Sequence, residues 1–424
     1  MVYDVFTLKD YSFPKGFLWG SGYAGHQVEG NNKNNQIWDE EMAGKKMEHS
    51  GLACNSYEMF REDIRLVSDL GHRAFRTSVE WCRIEPEEGV FNQEAADHYV
   101  KFFSGLKEKG IRVFCTLIHS THPSWFEKLG AFDKMENLKY WERYVEYIVP
   151  KVAPYVDFWN VINEFNLRPQ YSQKINNIKY HAVGYHIIKK YSKAPVSSAH
   201  ALVEYMPLRH HSKLDKLMTE YVDYIDHEFF FHAIRTGEIA LPYFDGYIDP
   251  DIKDTCDFWS INLYTRTMID GRAKTATGKR FDHKELKMVP LDFYLEEMHP
   301  ECMIDNLTRL MDKPVYITEN GCSTWDDRFR IVYIALYLSA LSEAIKLGVD
   351  VRGYLHWSLL DNYEWFSYIP KFGLVDVNRE SGNFERTPKP SAYFYKEIIE
   401  NNGFNQKILR KYLEAMPSLD ATIK

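Results

Sequence analysis

Eight short apolar runs alternate with eight amphipathic stretches along this 424-residue chain. The runs predict strands at 17–21, 72–79, 111–117, 156–163, 196–202, 257–264, 315–318 and 353–357. The stretches have apolar residues at helical spacing and predict helices over 56–70, 94–109, 137–149, 178–191, 213–235, 297–311, 328–347 and 391–399. Strand and helix alternating eight times predict an α/β fold, a single parallel (β/α)8 or TIM barrel.

The competing fold is a doubly wound open sheet, which usually begins with a glycine-rich phosphate loop after its first strand. The segment G-S-G-Y-A-G at 20–25 loosely resembles such a loop, but no convincing helix start with a ribose-binding acid follows it. No linker-like or low-complexity segment divides the chain. We therefore expect one catalytic barrel domain over residues 1–424, with its active site at the carboxyl ends of the strands.

Charge and hydropathy exclude several classes of protein. The net charge is −8, and the chain lacks the basic stripe that nucleic acid binding requires, so we expect no nucleic acid partner. The longest apolar stretch, 331–345, is interrupted by Ser339, Ser342 and Glu343, so no membrane span is expected. The first residues lack a signal-peptide pattern, and the six cysteines form no C-x-x-C pair. These features favour a cytoplasmic protein with reduced thiols.

Polar residues cluster where the predicted strands end, which is where barrel enzymes carry their chemistry. They are Arg76, His119, Asn163, Glu164, Asn262, Tyr264, Glu319, Asn320 and Trp357. Two of them, Glu164 and Glu319, are carboxylates, and burying an unpaired carboxylate is costly. One interpretation is a pair of structural salt bridges, one of them with Arg76. The other is a carboxylate pair across a pocket, as the hydrolysis of a glycosidic bond requires.

The fourth and seventh strands lie on roughly opposite sides of an eight-stranded barrel, so Glu164 and Glu319 could face each other across its mouth. One carboxyl would protonate the leaving oxygen while the other attacks the anomeric carbon. Arg76 and the Tyr264 hydroxyl are candidates to keep one of them ionised. The residues alone leave open which glutamate has which role.

Six motifs follow one another along the chain. They are F-P-K-G-F-L-W-G-S-G-Y-A-G-H-Q-V-E-G (13–30), W-N-V-I-N-E (159–164), V-Y-I-T-E-N-G (315–321), W-S-L-L-D-N-Y-E-W (357–365), K-F-G-L-V-D-V (371–377) and R-T-P-K-P-S-A (386–392). In this order they resemble the motifs of glycoside hydrolase family 1, the β-glucosidase family, over nearly the whole chain. The small size further resembles the short archaeal and bacterial members.

The resemblance implies a role for each candidate residue. Glu319 would be the nucleophile and Glu164 the general acid/base. Around them, Asn163 would bind the sugar 2-hydroxyl, and Arg76, Asn262 and Tyr264 would surround the nucleophile. The remaining sugar contacts would come from Gln27, His119, Glu364 and Trp365, with Trp357 as the stacking floor. Without the resemblance, Gln27, His119 and Trp365 would be interpreted as ordinary buried residues.

The implied activity is that of a retaining exo-β-glycosidase. It would hydrolyse terminal β-D-glucosides, and also β-galactosides or β-fucosides, through a covalent glycosyl-enzyme, with no cofactor and no metal. The partner would be a small-molecule or oligosaccharide β-glycoside, and a homo-oligomer is left open. One alternative is a 6-phospho-β-glycosidase, although the Glu364 carboxylate would repel a phosphate. Another is a non-catalytic sugar-binding barrel, which should have lost one of the two carboxylates.

Two positions depart from the family pattern. Phe165 stands where a proline usually follows the acid/base glutamate, and Ser120 stands where an aromatic residue usually follows the sugar-binding histidine. Both changes bear on the shape of the substrate pocket and leave the carboxylates untouched.

Overall fold

The predicted strands form a closed parallel barrel in the computed structural model, which describes residues 4–45, 48–168, 170–243, 245–272, 279–280 and 297–415. The barrel strands are β1 Leu18–Gly22, β2 Ala74–Ser78, β3 Arg112–Ile118, β4 Phe158–Ile162, β5 Val196–Ser197 with Ala199–Pro207, β6 Trp259–Asp270, β7 Val315–Asn320 and β8 Val351–Trp357. Each strand pairs in parallel with its neighbours, and β8 pairs with β1. The prediction of a (β/α)8 barrel is confirmed.

Strand β5 is broken at Ser198, which the sequence pattern did not indicate. Its first segment pairs with β4 and its longer second segment pairs with β6, so both are needed to close the barrel. At the break, the Ile162 amide donates to the Ser198 hydroxyl at 3.0 Å. The side chain thus provides an acceptor where the backbone ladder is interrupted.

A helix follows each strand and covers the barrel. The helices are α1 Ser56–Asp69, α2 Gln93–Glu108, α3 Leu138–Val152, α4 Tyr171–Tyr191, α5 Lys213–Asp223 continuing through the π-turn Tyr224–Glu228 into Phe229–Thr236, α6 Cys302–Leu307, α7 Asp327–Lys346 and α8 Pro390–Asn401. Short helices also occur at Gly25–Val28, Gln36–Met42, Trp81–Ile84, Ser124–Lys128 and Gln406–Leu413, and a hairpin pairs Val375–Asn378 with Glu385–Pro388.

The predicted helix over 297–311 is wrong at both ends, because only Cys302–Leu307 is α-helical. Glu297 instead accepts hydrogen bonds from two residues of β6. The Thr265 hydroxyl donates to its carbonyl oxygen at 2.6 Å, and Arg266 donates to its carboxylate at 2.6 and 2.8 Å. These contacts hold the segment around Glu297 against β6. The helical pattern alone had predicted that the first turn of the helix would begin there.

Aromatic side chains fill the amino-terminal half of the barrel. Phe114 and Phe158 stack with their ring centroids 4.2 Å apart, and Phe258 and Tyr316 pack edge-on against them. This plug leaves the carboxyl ends of the strands as the open end of the barrel. Polar side chains can collect there and still reach a ligand.

The helices and the cysteines were expected to show no membrane span and no disulfides. Within the described ranges, no helix combines the length and the apolar character that crossing a bilayer requires. All six cysteines are buried free thiols.

Candidate active site

Glu319, near the end of β7, is held by two donors from other strands. Arg76 on β2 donates from Nη1 to Oε1, and the Tyr264 hydroxyl on β6 donates to Oε2 at 2.8 Å. The glutamate is only 4% exposed. A carboxylate that receives a guanidinium and a hydroxyl at its two oxygens is fixed in orientation.

The Arg76 guanidinium is the centre of a larger buried network. Besides Glu319, it donates from Nη2 to Asn163 Oδ1 and from Nε to Thr116 Oγ1, the latter at 3.3 Å. Its side chain is 1% exposed. Arg76 therefore joins residues from β2, β3, β7 and the end of β4 in one rigid arrangement.

Glu164 lies just beyond β4 and is half-buried, with its backbone in the left-handed region at φ 48°. The Asn262 amide donates to Glu164 Oε1 at 3.2 Å and to Asn163 Oδ1 at 3.1 Å. The Thr318 hydroxyl donates to Asn262 Oδ1 at 2.8 Å and so fixes the orientation of the Asn262 side-chain amide. Glu164 thus joins the network that contains Glu319.

The Tyr264 hydroxyl lies among the carboxylates. Burial raises its pKa well above the usual value, and the negative charges of Glu319 and Glu164 raise it further. The phenol therefore stays protonated and remains a donor to Glu319 across the physiological pH range.

A second polar cluster surrounds Glu364 in the loop after β8. Gln27 donates from Nε2 to Glu364 Oε2 at 3.0 Å, and the Trp357 indole donates to Oε1 at 3.2 Å. The Gln27 Oε1 atom is buried and has no hydrogen-bond partner among the described residues. Since buried polar atoms are normally satisfied, this oxygen is suited to accept a hydroxyl from a ligand.

Burial raises the pKa of Glu364 to about 7, with the Trp357 hydrogen bond opposing this and the charge of Glu319 adding to it. The side chain therefore changes charge near neutral pH, unlike an ordinary glutamate. The fold favours its protonated form, so ionisation between pH 4.5 and about 7 lowers the stability of the folded state.

Replacing Glu364 with glutamine is expected to remove this pH-dependent cost. The variant should match the unmodified protein in stability near pH 4.5 and exceed it near pH 8 by up to roughly 3 kcal/mol. Urea unfolding at both pH values measures the difference, with the surface substitution Glu136→Gln as a control for losing one charge. An equal difference at both pH values would contradict the prediction.

Four near-parallel rings line the same end of the barrel. The His119 ring lies 5.6 Å from Trp357 and 5.9 Å from Trp365, and Trp365 lies 6.4 Å from His26, as measured between centroids. Burial, with the Arg76 charge, lowers the pKa of His119 well below its usual value, so the ring is neutral. Its Nε2 faces the Asn163 amide at 3.2 Å, which leaves the ring proton on Nδ1.

Of the twelve residues that the sequence singled out, eleven converge at this end of the barrel. They are Gln27, Arg76, His119, Asn163, Glu164, Asn262, Tyr264, Glu319, Trp357, Glu364 and Trp365. Asn320 does not, because its amide donates instead to the Leu263 carbonyl oxygen at 2.6 Å and to the Tyr333 hydroxyl at 3.1 Å. Sequence reasoning missed Thr116, Thr318 and His26. Both threonines are polar residues inside otherwise apolar strand runs, and that exception is the signal that could have found them.

The two departures from the family pattern have different surroundings. Phe165 is buried away from the polar network, edge-on to Phe230 at 4.9 Å and to His200 at 5.8 Å. Ser120 is exposed, with left-handed backbone at φ 66°, and its carbonyl oxygen accepts from Gln36 at 2.8 Å. The phenylalanine is therefore accommodated in the helical layer, whereas the serine leaves the rim beside His119 open.

Barrel hydrolases carry paired carboxylates at this end of the fold, and comparisons with known proteins identify the class. Residues 9–201 and 166–404 match Glycosyl hydrolase family 1. The chain is 32% identical to a beta-glycosidase from Pyrococcus horikoshii, with a TM-score of 0.85 over 97% of this chain and 99% of that one.

Two curated relatives match at similar coverage. Beta-glucosidase A of Acetivibrio thermocellus is 29% identical over 93% of this chain and 99% of its own length. A 6-phospho-beta-glucosidase of Bacillus subtilis is 27% identical, with the same two coverages. The protein is a glycoside hydrolase. It belongs to glycosyl hydrolase family 1, and the resemblance in its motifs is confirmed.

Proposed function

We propose that the protein is a retaining exo-β-glycosidase that releases glucose, and also galactose or fucose, from terminal β-glycosides. The asymmetry between the two glutamates supports this most directly. Glu319 is buried and receives a guanidinium and a phenol, whereas Glu164 is only half-buried. A carboxylate fixed in this way suits a nucleophile, and a partly exposed carboxyl suits proton exchange with the leaving group and with water.

The reaction then proceeds by two displacements. Glu319 attacks the anomeric carbon while Glu164 protonates the departing oxygen, which leaves as an alcohol. Glu164, now ionised, removes a proton from water, and that water displaces Glu319 from the glycosyl-enzyme. Each displacement inverts the anomeric centre, so the product keeps the β configuration.

The stereochemistry of the first product tests this proposal. Retention requires the two carboxyls to lie about 5–5.5 Å apart, whereas inversion needs about 6.5–9.5 Å to admit a water. Proton NMR of an early reaction mixture should show β-glucose released from nitrophenyl β-glucoside before mutarotation produces the α anomer. Initial release of α-glucose would overturn the double-displacement mechanism.

The Glu364 cluster supports recognition of an unmodified sugar. Above its pKa of about 7 Glu364 is mostly ionised, and an ionised carboxylate accepts hydrogen bonds from two hydroxyls, each worth roughly 1.5–3 kcal/mol. The Gln27 oxygen, which has no partner in the described part of the chain, provides a further acceptor beside it, and Trp357 offers an apolar face to the ring. These groups fit the hydroxyls far from the anomeric carbon.

A 6-phospho-β-glycosidase is the second candidate, because one relative is named as such. A phosphate on the sugar would bring about −1.5 to −2 charges towards Glu364. The unmodified protein should therefore turn over nitrophenyl β-glucoside and show little or no turnover of its 6-phosphate. A preference for the phosphate would overturn the substrate class.

Glu364→Ser is the matched variant for this comparison. It should lower kcat/KM on the plain glucoside by one to a few powers of ten, because interactions made in the transition state are lost. It should also narrow the difference between the plain and phosphorylated substrates, since the repelling charge is gone. An unchanged kcat/KM on the plain glucoside would mean that Glu364 braces its own loop and does not bind the sugar.

A further inference from the structure

A second cleft lies outside the polar network of the barrel mouth. It is formed by residues 48–53, by Trp325 before α7, by residues 368–371 of the loop after β8, and by the hairpin Val375–Asn378 with Glu385–Pro388. Its volume is about 800 Å³. This lies within the range of about 300–1,000 Å³ that is typical of small-molecule sites.

One wall of this cleft is apolar and open to solvent. Trp325 is 65% exposed, and Leu52 and Ile369 are each 46% exposed. The Lys371 ammonium lies 5.1 Å from the centroid of the Trp325 ring, and Lys371 is itself largely buried. The indole is therefore supported by a cation on one side and presents a large apolar area to the cleft.

The wall that the hairpin forms carries three carboxylates. Asp376, Glu380 and Glu385 line it, and none of them forms an ion pair with any residue in the described part of the chain. The two cations that also line the cleft have partners of their own. Lys371 lies 3.9 Å from the Asp361 carboxylate, and Arg379 stacks over Tyr368 at 4.1 Å and donates to the Asp361 carbonyl oxygen at 3.0 Å.

We propose that this cleft binds a neutral saccharide separately from the catalytic pocket. An indole face packs against the C–H face of a sugar ring, and carboxylates accept hydrogen bonds from its hydroxyls. The catalytic pocket uses the same pairing, in Trp357 and Glu364. The acidic wall disfavours anionic ligands, so the occupant is an uncharged sugar chain and not a sugar phosphate.

The loop after β8 connects the two sites. It begins directly after Trp357, its first part carries Glu364, and its later part lines the cleft. Glu48, at the edge of the cleft, accepts from the Ser367 hydroxyl at 2.6 Å and from the Tyr368 amide at 2.8 Å. A sugar chain held in the cleft would keep the enzyme beside a polymer whose free ends enter the catalytic pocket.

Native electrophoresis in gels that contain a soluble neutral β-glucan tests the proposal. The unmodified protein should be retarded relative to a glucan-free gel, Trp325→Ala should lose most of the retardation, and Trp325→Phe should keep part of it. Both variants should retain the unmodified kcat/KM on nitrophenyl β-glucoside, which shows that they are folded. Retardation of Trp325→Ala equal to that of the unmodified protein would overturn the proposal.

Two controls distinguish other origins of the retardation. Glu364→Ser should remain retarded, and loss of retardation in this variant alone would assign the glucan to the catalytic pocket and overturn the proposal. Sedimentation should give the same mass for Trp325→Ala as for the unmodified protein. If Trp325→Ala had a lower mass than the unmodified protein and were still retarded, Trp325 would instead contact a second copy of the chain. Since the gel measures binding, the result does not depend on the proposed catalytic activity.

Discussion

Glu319→Ala is expected to lose activity on every β-glycoside by roughly four to six powers of ten, the scale on which hydrolases lose rate when a nucleophile is removed. Among the described residues, no other carboxylate receives both the Arg76 and the Tyr264 donor, so none of them can replace it. The loss should be equally severe for alkyl and dinitrophenyl glycosides, because the attack itself is missing. Steady-state rates on both substrates measure it.

Glu319→Gln serves as a second variant, because alanine leaves the buried Arg76 guanidinium without its anion. Leaving such a charge unpaired typically costs about 3–5 kcal/mol, so Glu319→Ala should also unfold at lower urea concentration. Glutamine keeps an oxygen acceptor for Arg76 but cannot attack the sugar. Measurable hydrolysis by a folded Glu319→Gln protein would contradict the assignment.

Added azide gives a sharper test of where Glu319 acts. In Glu319→Ala, a small anion that occupies the vacated space attacks from the side where the nucleophile was. A single displacement inverts the centre, so the expected product from a β-glycoside is the α-glycosyl azide. Formation of the β-glycosyl azide in this variant would place the nucleophile elsewhere.

Glu164→Ala is expected to separate substrates by the quality of their leaving group. General acid catalysis contributes roughly 10²–10⁴-fold, and a leaving group that departs without protonation does not need it. The first displacement should therefore slow by about that factor for alkyl glycosides and much less for dinitrophenyl glycosides. Pre-steady-state rates of the first displacement on the two classes measure the contrast.

Azide again gives a distinct outcome for this variant. Glu319 is intact, so the glycosyl-enzyme forms, and azide attacks it from the face opposite the nucleophile to give the β-glycosyl azide. The pair of variants should thus yield azides of opposite configuration. If Glu164→Ala slowed the first displacement by the same factor on alkyl and dinitrophenyl glycosides, the assignment of Glu164 as the general acid would be wrong.

Much of the barrel could be predicted from the sequence because buried parallel strands are continuous apolar runs. The run at 111–117, for example, differs by only one residue at each end from β3, Arg112–Ile118. Barrel enzymes carry their catalytic residues at the carboxyl ends of the strands, and this rule alone predicted both glutamates, Arg76 and Tyr264 as site residues. The motifs added residues outside the strands, such as Gln27 in the short helix Gly25–Val28 and Glu364 in the loop after β8, for which no strand-end rule applies.

The rest depended on spatial neighbours that no local pattern encodes. The break at Ser198 follows from hydrogen bonding across β4 and β5, and the shortened helix after Glu297 follows from ties to β6. Similarly, both donors to Glu319 come from other strands, so the sequence could not show that Arg76 and Tyr264 bind the same carboxylate. The departure at Phe165 was expected to bear on the pocket, yet its ring packs against Phe230 in the helical layer.

The left-handed backbone at Glu164 bears on how this enzyme could drift during evolution. Asparagine and aspartate tolerate that conformation better than other non-glycine residues, whereas β-branched residues are strongly disfavoured there. A mutation to asparagine would therefore keep the backbone of this loop while it removes the carboxyl that we propose as the proton donor. Under the proposed mechanism, a descendant that binds β-glycosides and cleaves unactivated ones only slowly lies one amino-acid substitution away from this chain.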